Sequence, residues 1–227
     1  MTDVAVIDYG MGNLRSVAKA IEHVAPRLEV AVTSDAAVVK RALRVVFPGQ
    51  GAMPDCMREM QARGLRDTVL DAARGKPFLG ICIGLQMLFD RSEEGDTPGL
   101  GLLPGRVRRF PAEKMVDEQG ARLKVPHMGW NDVRQAAAHP LGEGIPQGSR
   151  FYFVHSYFPD PGSRGLIAGE SVYGVPFTCA AARDNVFAVQ FHPEKSQAAG
   201  LKLLANFLAW RPSVPSPRQQ TAAFPAA

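Results

Sequence analysis

The stretch GICIGLQ, residues 80–86, places a cysteine between two glycines directly after an apolar run. The spacing is that of a G-x-S-x-G nucleophile elbow, with sulfur in place of oxygen. A strained strand-to-helix turn brings the backbone close to its neighbours, and Gly80 and Gly84 lack the Cβ atoms that would collide there. The turn puts Cys82 at a helix N-terminus, where the positive end of the helix dipole favours a thiolate. We therefore predict that Cys82 is a nucleophile rather than a small core residue.

Strand-like and helix-like patterns alternate around this turn through the first half of the chain. Short apolar runs predict strands, and the segments between them repeat apolar residues at helical spacing. Such alternation indicates βαβ units. We predict strands at 4–7, 28–32, 45–47 and 77–81, and helices at 13–23, 35–42, 55–73 and 83–89.

The second half changes character, because Gly- and Pro-rich turns separate its predicted strands. We expect these strands to extend the sheet with antiparallel pieces before a last helix at 197–210. The sequence thus predicts an α/β fold: an open, mostly parallel twisted sheet with helices on both faces and an antiparallel extension. The second-half strands are predicted at 106–110, 129–133, 151–155, 165–172, 176–182 and 186–191.

Composition favours one globular domain in a reducing compartment. The 227 residues are 46% hydrophobic, and no linker divides them, so we expect a single domain over 1–210 and a disordered Pro-, Ala- and Ser-rich tail over 211–227. The three cysteines form no C-x-x-C pair, which argues against a disulfide framework. The N-terminus lacks a signal-peptide pattern and no long uncharged apolar window occurs, so we predict a cytoplasmic protein without a membrane segment.

Charge and glycine patterns argue against nucleic-acid, metal and dinucleotide ligands. The formal net charge is +4, and the densest basic cluster, Arg106, Arg108 and Arg109, is short and has no interleaved aromatic residues. The stretch DYGMGN at 8–13 fails the G-x-G-x-x-G pattern, because Arg15 occupies the third glycine position. No His, Cys and Asp cluster has zinc-ligand spacing. We therefore predict no metal and no organic cofactor.

A cysteine nucleophile needs a base and a residue that orients the base. His192 lies in QFHPEKS, 190–196, after a predicted strand, and Pro193 biases it towards extended backbone. Residues i and i+2 of an extended chain point to the same side, so Glu194 can accept the Nδ1 proton of His192. His192 and Glu194 are therefore the predicted base and its orienting carboxylate.

Two backbone segments are candidates for stabilising a developing oxyanion. One is the N–H of Ile83, directly after the nucleophile. The other is FPGQGA, 47–52, where two glycines around Gln50 make a mobile segment rich in N–H groups. Losing one such donor typically costs roughly 10²–10³ in rate.

Together these motifs resemble those of class I, triad-type glutamine amidotransferases, through GICIGLQ at 80–86, PGQG at 48–51 and HPE at 192–194. The likeness spans about residues 3–210 and implies a flavodoxin-like sheet. Four longer stretches narrow the resemblance to the amidotransferase subunits of imidazole glycerol phosphate synthases, which act in histidine biosynthesis: DYGMGN at 8–13, PHMGWN at 126–131, FYFVHSY at 151–157 and QFHPEKS at 190–196.

The resemblance implies roles for single residues. Cys82 would be the nucleophile, His192 the general base and acid, and Glu194 its orienting partner. The amides of Gly51 and Ile83 would form the oxyanion hole. Glu94, which stands beside Glu93, would contact the amino group of glutamine. The full set of expected substrate-binding residues is Gly49, Gln86, Glu94, His155, Ser156 and Tyr157.

The resemblance also implies a partner. A cyclase subunit of (β/α)₈ barrel fold would form a heterodimer with this chain and use its ammonia to make imidazole glycerol phosphate and the aminoimidazole carboxamide ribonucleotide. For Trp130, a position in the core is the alternative to an interface role. The expected contacts with the cyclase are Asn13, Arg15, Trp130, Tyr152 and Lys195.

Other functions compete with this one. The amidotransferase subunit of an anthranilate or aminodeoxychorismate synthase would share the triad, but should lack PHMGWN and FYFVHSY in this form. A glutamyl hydrolase of the same fold would act alone. A non-catalytic binding module is the alternative from a different class, and the intact set of Cys82, His192 and Glu194 argues against it.

Overall fold

The computed structural model describes residues 2–117 and 119–213, and the apolar runs singled out in the sequence form its strands. Val and Ile dominate the buried strands of the first half, as expected for strands covered on both faces. In chain order the strands are β1 (Val4–Ile7), β2 (Val30–Thr33), β3 (Arg44–Gly49), β4 (Phe78–Cys82), β5 (Phe89–Ser92), β6 (Thr97–Pro98), β7 (Leu103–Arg109), β8 (His127–Gln135), β9 (Ser149–His155), β10 (Tyr157–Pro161), β11 (Ile167–Tyr173), β12 (Val175–Arg183) and β13 (Val186–Val189).

The larger sheet confirms the predicted fold class. Its strand order is β2–β1–β3–β4–β13–β12–β11–β8–β9. The first five of these strands pair in parallel, and the pairs from β13 to β9 are antiparallel. The predicted antiparallel extension therefore makes up almost half of the sheet. The parallel half brings the carboxyl ends of β3, β4 and β13 to one edge, where α/β sheets bind ligands.

Helices cover both faces of the parallel half. The chain moves from β1 to β2 in one direction and from β2 across to β3 in the other, so right-handed crossovers put the two connecting helices on opposite faces. Accordingly α1 packs against α6, and α2 against α4. The helices are α1 (Leu14–Val24), α2 (Ala36–Arg41), α3 (Met53–Ala62), α4 (Arg66–Gly75), α5 (Ile83–Gln86) and α6 (Gln197–Ala209).

Two predicted helices were wrong in extent. The helix expected over 55–73 is two helices, α3 and α4, because the chain turns at Gly64 with φ +65°. The helix expected over 83–89 ends at Gln86, and the chain passes into β5. That strand belongs to a smaller sheet of order β10–β7–β5–β6, which the sequence did not predict.

None of the helices in residues 2–117 and 119–213 is long and apolar enough to cross a membrane. The tail expected to be disordered over 211–227 lies outside the described residues from 214 onward.

Candidate active site

The cysteine turn has the strained geometry that its flanking glycines indicated. Cys82 ends β4 and precedes α5 with φ +57° and ψ −112°, a conformation that costs about 1–3 kcal/mol for a residue other than glycine. A Cβ on Gly80 would lie 2.9 Å from the Cβ of Ala188, and one on Gly84 would overlap the carbonyl oxygen of Phe47. The glycines therefore let the turn pack closely while Cys82 carries the strain, which is typical of a functional residue.

Strand pairing brings the predicted base to the same sheet edge. β4 pairs with β13 through Ile81 and Val189, so Cys82 and the segment after β13 leave the sheet together. His192 has extended backbone (φ −103°, ψ 96°), and its Nδ1 lies 2.8 Å from Oε1 of Glu194. The Glu194 side chain is 1% exposed. A carboxylate at this distance keeps a hydrogen on Nδ1, which leaves Nε2 for chemistry.

Two opposing effects set the charge state of His192. Burial lowers the pKa of the imidazole, but the neighbouring Cys82 sulfur and Glu194 carboxylate outweigh burial and raise the pKa well above its ordinary value of 6.5. The buried Nε2 has no partner at hydrogen-bond distance among the described residues. The raised pKa favours the protonated ring in the resting site, with the Cys82 sulfur on one side of it and the Glu194 carboxylate on the other.

A cavity of about 290 Å³ opens beside Cys82. Its size suits a ligand as small as an amino acid. Three residues that were not predicted to belong to the site, Gln50, Pro126 and Val154, form part of its lining. The predicted site residues that line it are Gly51, Cys82, Ile83, Gln86, Glu94, His155, Ser156, Tyr157 and His192.

Glu94 lines this cavity, and its neighbour Glu93 points to a different place. Oε2 of Glu94 accepts a hydrogen bond from the backbone N–H of Met53 at 2.8 Å, at the N-terminus of α3. Glu93 instead accepts from the N–H of Arg109 at 2.8 Å and pairs with the guanidinium of Arg108. Of the two adjacent carboxylates, Glu94 is therefore the one placed to meet a ligand.

The segment after β3 is held from its inner side. The hydroxyl of Tyr9 donates to the carbonyl oxygen of Pro48 at 2.9 Å, and the thiol of Cys56 lies 3.5 Å from the carbonyl oxygen of Gln50. Gly51 has φ +101°, which only glycine adopts without strain. Both contacts hold carbonyl oxygens of the segment, and neither of them holds the N–H of Gly51.

Gly49, expected to bind substrate, is buried behind the cavity and is not among the described residues that line it. It pairs in register with Cys82 across β3 and β4. A Cβ at Gly49 would lie 2.8 Å from the Cβ of Ile83. Because Gly49 has no side chain, the segment after β3 can approach the cysteine turn closely.

Three residues expected to contact a partner form one group at the surface. Trp130 on β8 pairs in register with Tyr152 on β9, and their rings pack edge to face with centroids 6.0 Å apart. The Nζ of Lys195 lies 5.8 Å from the centre of the Tyr152 ring. Trp130 is 37% exposed, so it is not a core residue. Asn13 and Arg15 lie at the start of α1, which packs against the turn that ends at Lys195.

Two buried polar residues at the site were not predicted. Gln190 accepts a hydrogen bond from Gln86 and its amide nitrogen lies 3.8 Å from the sulfur of Cys82. Nδ1 of His127 lies 3.0 Å from Nε2 of His155. Both belong to stretches quoted above, QFHPEKS and PHMGWN, but their roles depend on strand pairing that no local spacing shows.

The histidine pair is neutral in the folded protein. Burial lowers the pKa of His127 to about 4 and the pKa of His155 to about 3. Two neutral rings can form a chain of two hydrogen bonds. Nδ1 of His127 donates to Nε2 of His155, and Nδ1 of His155 donates to the carbonyl oxygen of Tyr157, 2.8 Å away.

This pair should make the fold sensitive to acid. In the unfolded chain His127 takes up a proton near pH 6.5, whereas in the fold its pKa is about 4. The unfolded state therefore binds more protons in this window, and the free energy of unfolding should fall as pH falls, by about 1.4 kcal/mol per pH unit for each such histidine.

The variant His127→Gln tests this expectation. It should be less stable than wild type at pH 8, because it disturbs the ring contact with His155, yet its stability should depend less on pH between 6.5 and 4. Urea unfolding across pH 4–8 measures both. An unchanged slope in the variant would contradict the assignment of His127.

Comparisons with known proteins identify the family of this chain. Residues 5–210 match the family model for Glutamine amidotransferase class-I. The chain is 70% identical over 212 residues to the imidazole glycerol phosphate synthase subunit HisH of Aromatoleum aromaticum, covering 93% of this chain and 100% of that protein. The same subunit of Nitrosospira multiformis is 65% identical with the same coverage.

A solved structure of a glutamine amidotransferase superposes with a TM-score of 0.67, at 17% identity, covering 91% of this chain and 99% of that one. This likeness supports the fold. Both of these sequence relatives carry the name of an imidazole glycerol phosphate synthase subunit. The chain belongs to the class I glutamine amidotransferase family, within the group of HisH subunits of imidazole glycerol phosphate synthase.

Proposed function

We propose that this chain hydrolyses glutamine to glutamate and ammonia in the cavity beside Cys82, and that it passes the ammonia to a cyclase subunit of (β/α)₈ barrel fold. Membership of the class I glutamine amidotransferase family indicates the amidotransferase activity. The observation that supports placing the chemistry in this cavity is the convergence of a strained cysteine, a buried histidine and a buried carboxylate 2.8 Å from that histidine.

The first half of the reaction forms a thioester. The sulfur of Cys82, with its proton already held on Nε2 of His192, attacks the side-chain carboxamide carbon of glutamine. Collapse of the tetrahedral intermediate breaks the carbon–nitrogen bond, and His192 returns the proton to the leaving nitrogen, which departs as ammonia. General acid–base help of this kind is worth roughly 10²–10⁴ in rate.

The second half consumes water. Nε2 of His192 takes a proton from a water molecule, whose oxygen attacks the γ-glutamyl thioester. Glutamate leaves, and the proton remains on Nε2 of His192 beside the released sulfur of Cys82. Glu194 keeps its place throughout, because it accepts from Nδ1 of His192 and stabilises the imidazolium that forms in each half.

Backbone amides would stabilise both tetrahedral intermediates. The N–H of Ile83 lies directly after the nucleophile, and Gly51 lines the same cavity from the segment after β3. Hydrogen-bond donors fixed before the reaction act strongly where charge develops.

Substrate recognition follows from the rest of the lining. Glu94 has one oxygen committed to Met53, so its other oxygen can accept from the ammonium group of glutamine. Gln86, His155, Ser156 and Tyr157 form the facing wall.

The partner would bind over the exposed group formed by Trp130, Tyr152 and Lys195, together with Asn13 and Arg15. Partly exposed Trp and Tyr are typical anchors of protein interfaces. Ammonia released into neutral water would be protonated and would lose its nucleophilicity, which favours direct delivery into an attached barrel. The assembly would be a heterodimer.

The experiment is to measure glutamate release by the purified chain, first alone and then with the cyclase subunit and its nucleotide substrate. We expect poor hydrolysis by the isolated chain and strong stimulation in the complex, because the glycine-rich segment after β3 need not hold its amide towards the site without a partner. Equal turnover with and without the partner would contradict the expected activation by the cyclase subunit and would indicate a stand-alone hydrolase.

A further inference from the structure

Gln190 has no role in the mechanism above, although it is fully buried and touches the nucleophile. It directly follows β13, and its backbone N–H donates to the carbonyl oxygen of Cys179 on β12 at 2.8 Å. Its side chain lies between Cys82 on one side and Gln86 on the other. A buried amide requires partners for both its ends.

A backbone carbonyl determines which way both amide side chains point. The oxygen of Tyr157 accepts from Nδ1 of His155 at 2.8 Å and from Nε2 of Gln86 at 3.1 Å. A carbonyl oxygen can only accept, so the NH₂ end of Gln86 must face it. The same NH₂ group donates its other hydrogen to Oε1 of Gln190 at 3.0 Å. The NH₂ end of Gln190 is thereby turned towards the sulfur of Cys82.

The same chain of bonds leaves one acceptor unpaired on Gln86, a residue that lines the cavity. Oε1 of Gln86 is buried and has no hydrogen-bond partner within the part of the chain that the structure describes. A buried carbonyl oxygen left unpaired costs about 1–3 kcal/mol. An N–H group of a bound ligand would relieve this cost.

We propose that Gln190 is a positioning residue with two tasks: its NH₂ group stabilises the Cys82 thiolate, and its Oε1 holds Gln86 with the oxygen free to accept from glutamine. The second task rests on the proposed glutamine hydrolysis, and the first does not. A neutral N–H donor beside sulfur favours the anion without adding a charge that would compete with His192.

The test compares three variants of the full-length chain. Gln190→Met keeps the length of the side chain and removes both polar ends. Gln190→Glu keeps an acceptor for Gln86 but cannot donate to Cys82 as a carboxylate. Gln135→Met is the matched control, because Gln135 is a partly buried glutamine whose Nε2 donates to the carbonyl oxygen of Ile145 at 2.7 Å, outside the cavity.

Two readouts separate the two tasks. The first is the pH dependence of Cys82 alkylation by iodoacetamide, followed on the Cys82 peptide by mass spectrometry; it needs neither substrate nor partner. The second is kcat and KM for glutamine in the complex with the cyclase subunit. Thermal unfolding of each variant reports whether it is folded.

We expect Gln190→Met to move the alkylation midpoint to higher pH and to lower kcat/KM by about tenfold or more, as for loss of a hydrogen bond to a charged group. Gln190→Glu should show the alkylation change with a KM for glutamine closer to wild type. Wild-type alkylation and kinetics in folded Gln190→Met would overturn the proposal, as would equal losses in Gln135→Met. If the wild-type complex releases no glutamate, the proposed function fails, and the alkylation profile still decides the contact with Cys82.

Discussion

Cys82→Ser should abolish glutamate release from glutamine, with a loss of roughly 10⁴-fold or more, as is usual when the nucleophile of a triad is removed. A serine hydroxyl is a much weaker nucleophile, because hydroxyls in general lose a proton far less readily than thiols do. The fold should survive, since serine is nearly the same size and meets the same positive φ as Cys82 does.

Synthesis by the whole complex distinguishes a loss of glutamine hydrolysis from a loss of all activity in the complex. With ammonium salt supplied in place of glutamine, the Cys82→Ser complex should make product at the wild-type rate, because only the source of ammonia has been removed. Cys179→Ser makes the same change at a buried thiol on β12 and should keep most of its glutamine-dependent activity. If Cys82→Ser retained glutamine-dependent synthesis, the chain would be a binding module and not the glutaminase.

The parts of the site that sequence reasoning located are those whose chemistry is local. The elbow is contained within residues 80–84, and the contact between His192 and Glu194 spans two residues of extended chain. In both cases backbone geometry alone decides where the side chains point. The strand–helix alternation is local in the same sense, which is why the parallel half of the sheet was predicted.

What the sequence did not show depends on pairing between distant segments. Gln190 meets Gln86 across 104 residues, and His127 meets His155 only because β8 and β9 are in register there. An amide or imidazole in isolation gives no sign of its partner. The smaller sheet was missed for a related reason: apolar residues continue past Gln86 at helical spacing, and pairing with β6 and β7 makes Phe89–Ser92 a strand.

Gly84→Ala should be among the most damaging single-methyl additions in this chain. The added Cβ would overlap the carbonyl oxygen of Phe47, a backbone atom in the centre of β3 that cannot move without shifting the strand. We expect a loss of about 3 kcal/mol or more in the free energy of unfolding, at the upper end of overpacking costs. Glutamate release should fall as well, because the turn that holds Cys82 must shift.

Gly75→Ala provides the matched control for this prediction. Gly75 ends α4, and a Cβ there would meet no atom of the described residues within 4 Å. Alanine should therefore be neutral or stabilise the fold by about 0.4–1 kcal/mol, through the smaller entropy of the unfolded chain. Gly80→Ala should fall between the two, since its Cβ would lie 2.9 Å from the Cβ of Ala188. Urea unfolding of the three variants measures the order. Wild-type stability in Gly84→Ala would mean that the turn does not need its glycine, and would remove the physical reason for placing a thiol between glycines.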